Sequence, residues 1–498
     1  MSRPMKPRVE QVLVVGRDAA AWLTALALHR ALGRTGVKVR VVEMPSLLTP
    51  ADVYSAVPSL GGLHALLGLD EGAVLEATRG LPVLGQRFAN WSRARAPFIH
   101  GYDTHRVALN DIDFLQFWVK ARGEGMRVEL EDFSLAAAAA KQGRSPVARD
   151  GERPEAPVSP GYHLDARAYV DLLRRTALQA GIEGRSADVR SVERSGDRIT
   201  SVTLSDGLKV QADLFIDASG PAAVLASGAP DAPFESWRRW FGADRILVAS
   251  AARLSPLPAF SHIAAFPAGW VGLHPLRDRT ALVAVYDSKV MSDQAVLEAL
   301  PVLTGLPLTG DAAVEDFHPG ARPPWSGNCV AIGPAAVSLE PLDAVQLHLI
   351  HTGLSTLIGL FPTEADAMPE AEVYNRSMAS HLANIRDFLI THYALNQRFD
   401  EPVWDRARDM VLPDKLQTRL RVFAARGRVP LYEDESFQQQ NWVQILIGHG
   451  LIPASYDPMV DTVPVDEQMD KVRGLLARIA EEVQSMPDLD AEFGGSAG

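Results

Sequence analysis

One cysteine, Cys329, serves 498 residues. A disulfide framework is therefore excluded, and a thiolate metal cluster has no ligands to draw on. No apolar run approaches the ~20 residues that a bilayer-spanning helix requires. The chain opens Met1-Ser-Arg-Pro4 and runs straight into a strand pattern, without the apolar stretch of a signal peptide. Positive charge is in deficit, 49 Lys and Arg against 61 Asp and Glu, for a formal net charge of −12. That argues against a nucleic-acid binder and provides no attraction to anionic lipid. The expectation is a cytoplasmic protein with no nucleic-acid or membrane partner. There is no Gly-x-Ser-x-Gly elbow, no Walker motif and no internal repeat.

What is present is an ordinary globular composition, 47% hydrophobic and 22% charged, long enough for two or three structural units. Val12–Val15 is a short apolar run ending in Gly16, the pattern of a buried parallel strand. Residues 19–33 suit a helix closed by Gly33, and Val37–Val42 leads to Glu43, completing a βαβ unit. Asp213–Gly220 and Asn328–Gly333 are two further strands with small-residue endings. Residues 190–210 alternate around Ser-Gly-Asp and Ser-Asp-Gly turns and predict hairpin strands. The stretch 134–161, rich in Ala, Pro and Gly, predicts a surface excursion. From about 360 onward the pattern is helical, with Val472, Leu475, Leu476, Ile479 and Val483 on one core-facing stripe. The fold class is α/β: a Rossmann-like dinucleotide domain over 8–360, interrupted by inserted β-sheet substrate regions at about 60–160 and 225–325. A helical C-terminal region follows over 361–498.

The first turn carries the chemistry. In a dinucleotide fold the first glycine makes the turn, the second lets backbone approach the pyrophosphate, and the third lets helix pack on strand. Here those places hold Gly16, Asp18 and Ala21. Asp18 adds a side chain and a negative charge where phosphates sit. Two readings follow: a helix N-capped by its own carboxylate with no ligand, or a nucleotide seat partly repaired by Arg17. Glu43 ends the second strand, where the ribose-binding acid is expected. The candidate cofactor contacts are Gly16, Arg17, Ala19, Ala20, Ala21 and Glu43, with Gly333 and Pro334 from the later strand ending.

Several long stretches resemble the flavin-dependent tryptophan halogenase family. They are the opening turn to Trp22, Arg87–Trp91 (RFANW), Gly161–Leu173 (GYHLDARAYVDLL), 213–220 (DLFIDASG), Ala331–Ala344 (AIGPAAVSLEPLDA), and residues 385–404 and 436–458. The resemblance implies FAD in the interrupted domain, supplied reduced by a separate reductase. In the family the flavin reacts with oxygen and oxidises halide, and hypohalous acid then reaches an aromatic substrate, directed by a lysine and a glutamate. The implied partners are an aromatic small molecule and a flavin reductase, with a homodimer or a halogenase-like partner subunit left open.

Residue by residue, the resemblance thins at the chemistry. The family lysine would stand about eight residues before Trp91, at Val83, and no lysine occurs between Lys38 and Lys120. Arg79 and Arg87 are the nearby cations, and a guanidinium is a poor substitute for a reactive amine. The two-tryptophan motif falls at Trp270–Pro275 with Gly272 in the second place, which predicts a gap in that wall, and with His274 replacing an aliphatic residue. The acid survives as Asp343, the halide backbone site is Val345-Gln346, and the flavin loop is Val53–Pro58. Candidate catalytic residues are Asp343 to orient substrate, His274 as an acid/base titrating near neutrality, and Trp270. His348 and His351 have metal-ligand spacing but no third ligand, so no metal is expected. His100 and His105 flank Tyr102 as loop or cavity residues. Scaffold persists where chemistry departs, which favours changed chemistry or none. The leading expectation is a divergent FAD-linked oxidoreductase or monooxygenase acting on an aromatic or indole-like compound. A non-catalytic binding protein stands second, and a halogenase with a relocated cation third.

Overall fold

The computed structural model describes residues 8–103, 108–109, 112–146 and 158–495. Two compact units are woven from alternating stretches of the chain. The first comprises Met1–Thr78, Leu164–Arg238 and Phe317–Leu382; the second comprises Arg79–His163, Arg239–Asp316 and Ala383–Gly498.

In the first unit the apolar run after Glu10 forms the strand Gln11–Gly16, buried along nearly its whole length. An apolar strand buried on both faces belongs inside a parallel sheet. Here it pairs in parallel with Lys38–Glu43 on one side and Leu214–Ala218 on the other. Leu214–Ala218 in turn pairs in parallel with Cys329–Ala331. The three strand endings singled out in the sequence are thus neighbours in a single six-stranded sheet, with Glu183–Ser186 at one edge and Trp325–Ser326, antiparallel, at the other. The helix Asp18–Leu32 follows the first strand and buries Trp22, Leu23, Leu26 and Leu28. Gly33 closes it as its C-cap, as expected, though with φ −56°; it also opens a short 3-10 turn, and Gly36 (φ 93°) makes the reversal. Cys329 is buried in a cluster with Leu13, Val15, Val42, Phe215 and Val202. Burial pushes its thiol well up, as befits a packing residue. The predicted hairpin strands are Val189–Ser195, Arg198–Leu204 and Lys209–Val210, antiparallel.

The second unit is built on a seven-stranded sheet. Its order is Ala313–Asp316, Arg245–Ala251, Thr280–Tyr286, Gly269–Pro275, Ser261–Phe266, Gly85–Ala89 and Phe98–Gly101. One face buries Leu247, Val271, Leu273, Leu282, Ala284 and Phe266. Helices Pro402–Arg408, Asp414–Arg426, Gln439–Gly448 and Val465–Ser485 follow, and the last buries Val472, Leu475, Ile479 and Val483 of its predicted stripe, with Leu476 half-buried. The alanine-rich run after Ser134 is not a surface excursion. Ser134 caps a helix, Leu135–Lys141, accepting from Ala137 N at 3.0 Å, and Ala136, Ala137, Ala139 and Ala140 are buried. Five small apolar residues in a row need no amphipathic stripe when the helix is packed on several sides. Residues 147–157 of that stretch lie outside those described. Among the described residues no helix is long and apolar enough to cross a membrane.

Candidate functional site

At the carboxyl end of the first strand the chain turns with no room to spare. A β-carbon on Gly16 would stand 2.5 Å from Ala218 O and 2.6 Å from Ala218 Cβ, so only glycine fits. Arg17 N donates to Ala218 O at 3.1 Å, and Arg17, with extended backbone, is the N-cap of the helix. This corrects the expectation that Asp18 caps the helix. Asp18 sits inside the first turn at φ 56°, the left-handed region that the glycine of this motif ordinarily takes. Its carboxylate instead accepts from Ser46 Oγ at 2.5 Å and from Leu47 N at 3.4 Å. Burial pushes the Asp18 carboxyl up from its ordinary value, and those two donors oppose the shift.

Around this turn lie polar atoms without protein partners. Arg17 Nε is buried and makes no hydrogen bond, while Nη2 rests 3.8 Å from Met44 Sδ. Arg17 Cδ comes within 3.9 Å of the β-position of Gly220, itself left-handed at φ 85°. Ser55, in the strand Val53–Ala56, is 7% exposed and its hydroxyl also has no partner. Gly333 (φ 60°) has its β-position 2.8 Å from Ile350 Cγ1 and 3.7 Å from Ala20 Cβ. The fold therefore brings Gly16, Arg17, Ala19–Ala21 and Gly333 to one end of the sheet, with Pro334 exposed in the 3-10 turn Gly333–Ala335. A glycine-tight turn at the strand end, an orphaned guanidinium nitrogen and an orphaned hydroxyl fit a dinucleotide. Glu43 is more committed than the sequence suggested. Its Oε1 accepts from Trp22 Nε1 at 3.0 Å, and its Oε2 accepts from Arg174 Nε at 3.1 Å and Ser186 Oγ at 3.2 Å.

Asp343 lies in the same unit, 1% exposed, at φ 53°, and Ala344 beside it has φ 57°. Two consecutive left-handed residues that are not glycine carry backbone strain, a condition that concentrates at functional positions. They open the helix Val345–Gly359. On that helix His348 Nδ1 lies 3.1 Å from Ser59 Oγ, and burial depresses both His348, to about 4, and His351. No group of three or more His, Cys, Asp or Glu able to hold a metal occurs among the described residues.

In the second unit Trp270 and His274 share one face of the strand Gly269–Pro275, with Gly272 between them. Trp270 Nε1 donates to Tyr393 Oη at 2.9 Å. The gap expected at Gly272 does not exist. Its β-position is 2.7 Å from His274 Nε2, 3.1 Å from Ile263 Cδ1 and 3.4 Å from Trp270 Cζ3, so the imidazole fills the volume. The expectation that His274 titrates near neutrality is also overturned. It is 2% exposed, and burial lowers it to about 4, leaving a neutral ring whose Nδ1 has no hydrogen-bond partner. Sequence reasoning missed His163, whose ring stands edge-on to His274 at 5.2 Å. Its Nδ1 is 3.0 Å from Pro275 O, which can only accept, so that nitrogen carries the hydrogen. Its Nε2 therefore accepts from Ser261 Oγ at 2.7 Å. The Tyr-His-Leu-Asp segment carries part of the family resemblance, and nothing in its spacing marks the histidine.

Val83 is fully buried in the strand Leu81–Val83, paired with Gly161. Arg79 is exposed and bound to Asp278 at 2.7 Å. Arg87 donates to His262 Nδ1 at 3.0 Å. Lys120, the next lysine along the chain, is tied to Asp461 at 2.8 Å. His100 is buried against Asn441 and Phe388 as a packing residue, and His105 lies outside the described residues.

Comparison with known proteins agrees with this geometry. The tryptophan halogenase family model matches residues 11–465. Tryptophan 7-halogenase RebH of Lentzea aerocolonigenes is 25% identical over 530 residues, covering 97% of this chain and 98% of its own. Among solved structures, BrvH, a flavin-dependent halogenase from Brevundimonas sp. BAL3, is 32% identical with a TM-score of 0.90, covering 97% of this chain and 99% of that one. Xcc4156, a flavin-dependent halogenase from Xanthomonas campestris, is 29% identical with a TM-score of 0.92, covering 97% and 98%. A family match over most of the chain, together with a relative at 32% identity covering 97% of it, settles membership: this chain belongs to the tryptophan halogenase family.

Proposed function

We propose that this protein is an FAD-linked oxidoreductase of the monooxygenase type, acting on an aromatic or indole-like small molecule without a lysine-directed halogen. One observation carries the reading: Val83, where the resemblance to the family would put its amine, is a fully buried strand residue with no donor to hold an oxidised halogen. Arg79 and Arg87, the relocated cations that halogenation would need, are already bound to Asp278 and His262.

FAD, delivered reduced by a separate reductase as in the family, would supply the oxygen chemistry. The chain's own groups would hold it. Gly16 and Gly333 would make the close turns at the strand ends beside it, Arg17 would offset phosphate charge, and Ala19–Ala21 would form the helix start, where the Tyr54 phenol already meets the Ala19 N–H. Pro334 is exposed beside that seat. Glu43 would reach a ribose only by sharing a carboxylate that already holds three protein donors. Asp343 would accept the N–H of an indole-like ring, its strained backbone fixing the direction of the carboxylate. His274 would serve as a neutral hydrogen-bond acceptor rather than as an acid, and Trp270, anchored by Tyr393, as a rigid wall. The domain assignment follows the same division: 8–360 for the cofactor, about 60–160 and 225–325 for substrate, and 361–498 as a helical region.

A second reading, a non-catalytic binding protein, is favoured by one observation alone: Asp18 stands in the phosphate turn, hydrogen-bonded to Ser46. The test is a reconstitution with FAD, a flavin reductase, NADH, oxygen and bromide, over a panel of indoles, followed by mass spectrometry. Saturable flavin binding and an oxygenated product independent of halide are expected. A brominated product that disappears when bromide is withheld would return ordinary halogenation to first place. No flavin binding would leave the non-catalytic reading.

A further inference from the structure

We propose that Asp18 makes dinucleotide binding proton-linked, so that the cofactor's diphosphate settles at the first turn only as the Asp18 carboxyl takes up a proton. The proposal rests on the flavin reading above and deepens it.

The geometry starts with the backbone. At φ 56° and one residue after the N-cap, Asp18 occupies the place that admits a diphosphate to the helix start. The carboxylate is not swung out to water. It is fixed by Ser46 Oγ at 2.5 Å and Leu47 N at 3.4 Å. The charged and titratable groups facing it are Arg17, Asp52 and Tyr54. Asp52 is held in place by Thr49, whose backbone N and Oγ1 both donate to it at 2.7 Å, so it adds negative charge that will not move away. The Tyr54 phenol meets the Ala19 backbone N–H, and burial and the Asp18 charge push it further from ionising. Against this stands one cation, Arg17, whose buried Nε is unpartnered.

A diphosphate brings two more negative charges to a turn where one guanidinium already answers two carboxylates. Like charges gathered in a partly buried site cannot all remain ionised, and the group nearest neutrality yields first. Burial already moves the Asp18 carboxyl that way, even with Ser46 and Leu47 opposing it. Once protonated, the carboxyl is also a donor, able to hydrogen-bond a phosphate oxygen in place of repelling it. Binding then carries a proton into the complex, and affinity falls as pH rises.

The test is a flavin titration of the full-length protein from pH 5.5 to 8.5, read by fluorescence quenching, with calorimetry in buffers of differing ionisation heat to count protons. For the wild type, log Kd should rise with a slope approaching about one per pH unit at the alkaline end, with about one proton taken up per FAD. Asp18→Asn, which keeps shape and removes charge, should bind at least about tenfold more tightly at pH 8 and lose the slope. Ser46→Ala removes a bond that favours the charged form, and should shift the wild-type curve to higher pH. A flat wild-type profile, or Asp18→Asn binding no more tightly than wild type, overturns the proton link and leaves the flavin reading intact. Absence of FAD binding by wild type and Asp18→Asn alike overturns both.

Discussion

His274 Nε2 stands 2.7 Å from the position a β-carbon on Gly272 would take, so the two residues share one side-chain volume on the strand Gly269–Pro275. An alanine at 272 must displace a buried ring. Gly272→Ala is expected to cost about 1–3 kcal/mol, and much of that should return when His274→Ala is added. Urea denaturation of the two single variants and the double reads the coupling. Additive costs would show that the imidazole does not occupy that space.

Buried histidines set an acid limit to stability. His64, in the first unit, and His274, in the second, are each lowered to about 4 by burial, and His163 lies well below its ordinary value. In the unfolded chain each titrates near ~6.5. A folded value below the unfolded one means stability is full above the unfolded value and is lost as pH falls toward the folded one. The urea midpoint should therefore hold from pH 8 to about 6.5 and drop between there and about 4. His274→Gln should recover on the order of 3 kcal/mol of that drop. An unchanged acid limb in that variant would mean the imidazole is solvated.

Glu43 separates a structural from a ligand-binding role. Its carboxylate satisfies Trp22 Nε1, Arg174 and Ser186. Glu43→Ala leaves those donors unanswered and should cost about 1–3 kcal/mol. Glu43→Gln keeps an acceptor for Trp22 and should lose less. If the residue also grips a ribose, Glu43→Gln will weaken flavin binding while the denaturation midpoint stays near wild type; if its duty is structural, the two quantities will move together.

A lysine at position 83, where the resemblance would put the family amine, should not be tolerated. Val83 is 0% exposed in a paired strand. A lysine there would lose hydration with no counter-charge built for it, costing at least about 3 kcal/mol. Its folded pKa would be depressed, so the deficit should deepen as pH is lowered from 10 to 7. Midpoints for Val83→Lys equal to wild type at both pH values would show that the strand opens onto water or an acid.

Legibility followed the range of the forces involved. The strands Gln11–Gly16, Leu214–Ala218 and Cys329–Ala331 could be read because each is a short apolar run ended by small residues, and that pattern reports burial on both faces locally. The helix Leu135–Lys141 was hidden, because a run of alanines has no stripe and its packing comes from elsewhere. Gly16 and Gly333 could be named from their motif, and the contacts that forbid a β-carbon there appear only in three dimensions.

The sequence by itself determined the α/β class, the order of the strands along the chain, the family and the absence of an amine at position 83, since all of these are properties of residue type and spacing. Tertiary structure decided what the named groups can do. It gave Asp18 to Ser46 instead of to the helix, filled the space at Gly272 with an imidazole, and lowered His274 far below neutrality. Protonation and hydrogen-bond partnership depend on which atoms and how much water surround a side chain. Some neighbours are two residues away on the same strand face, as His274 is to Gly272, but the burial that closes around them comes from strands and loops far apart in sequence.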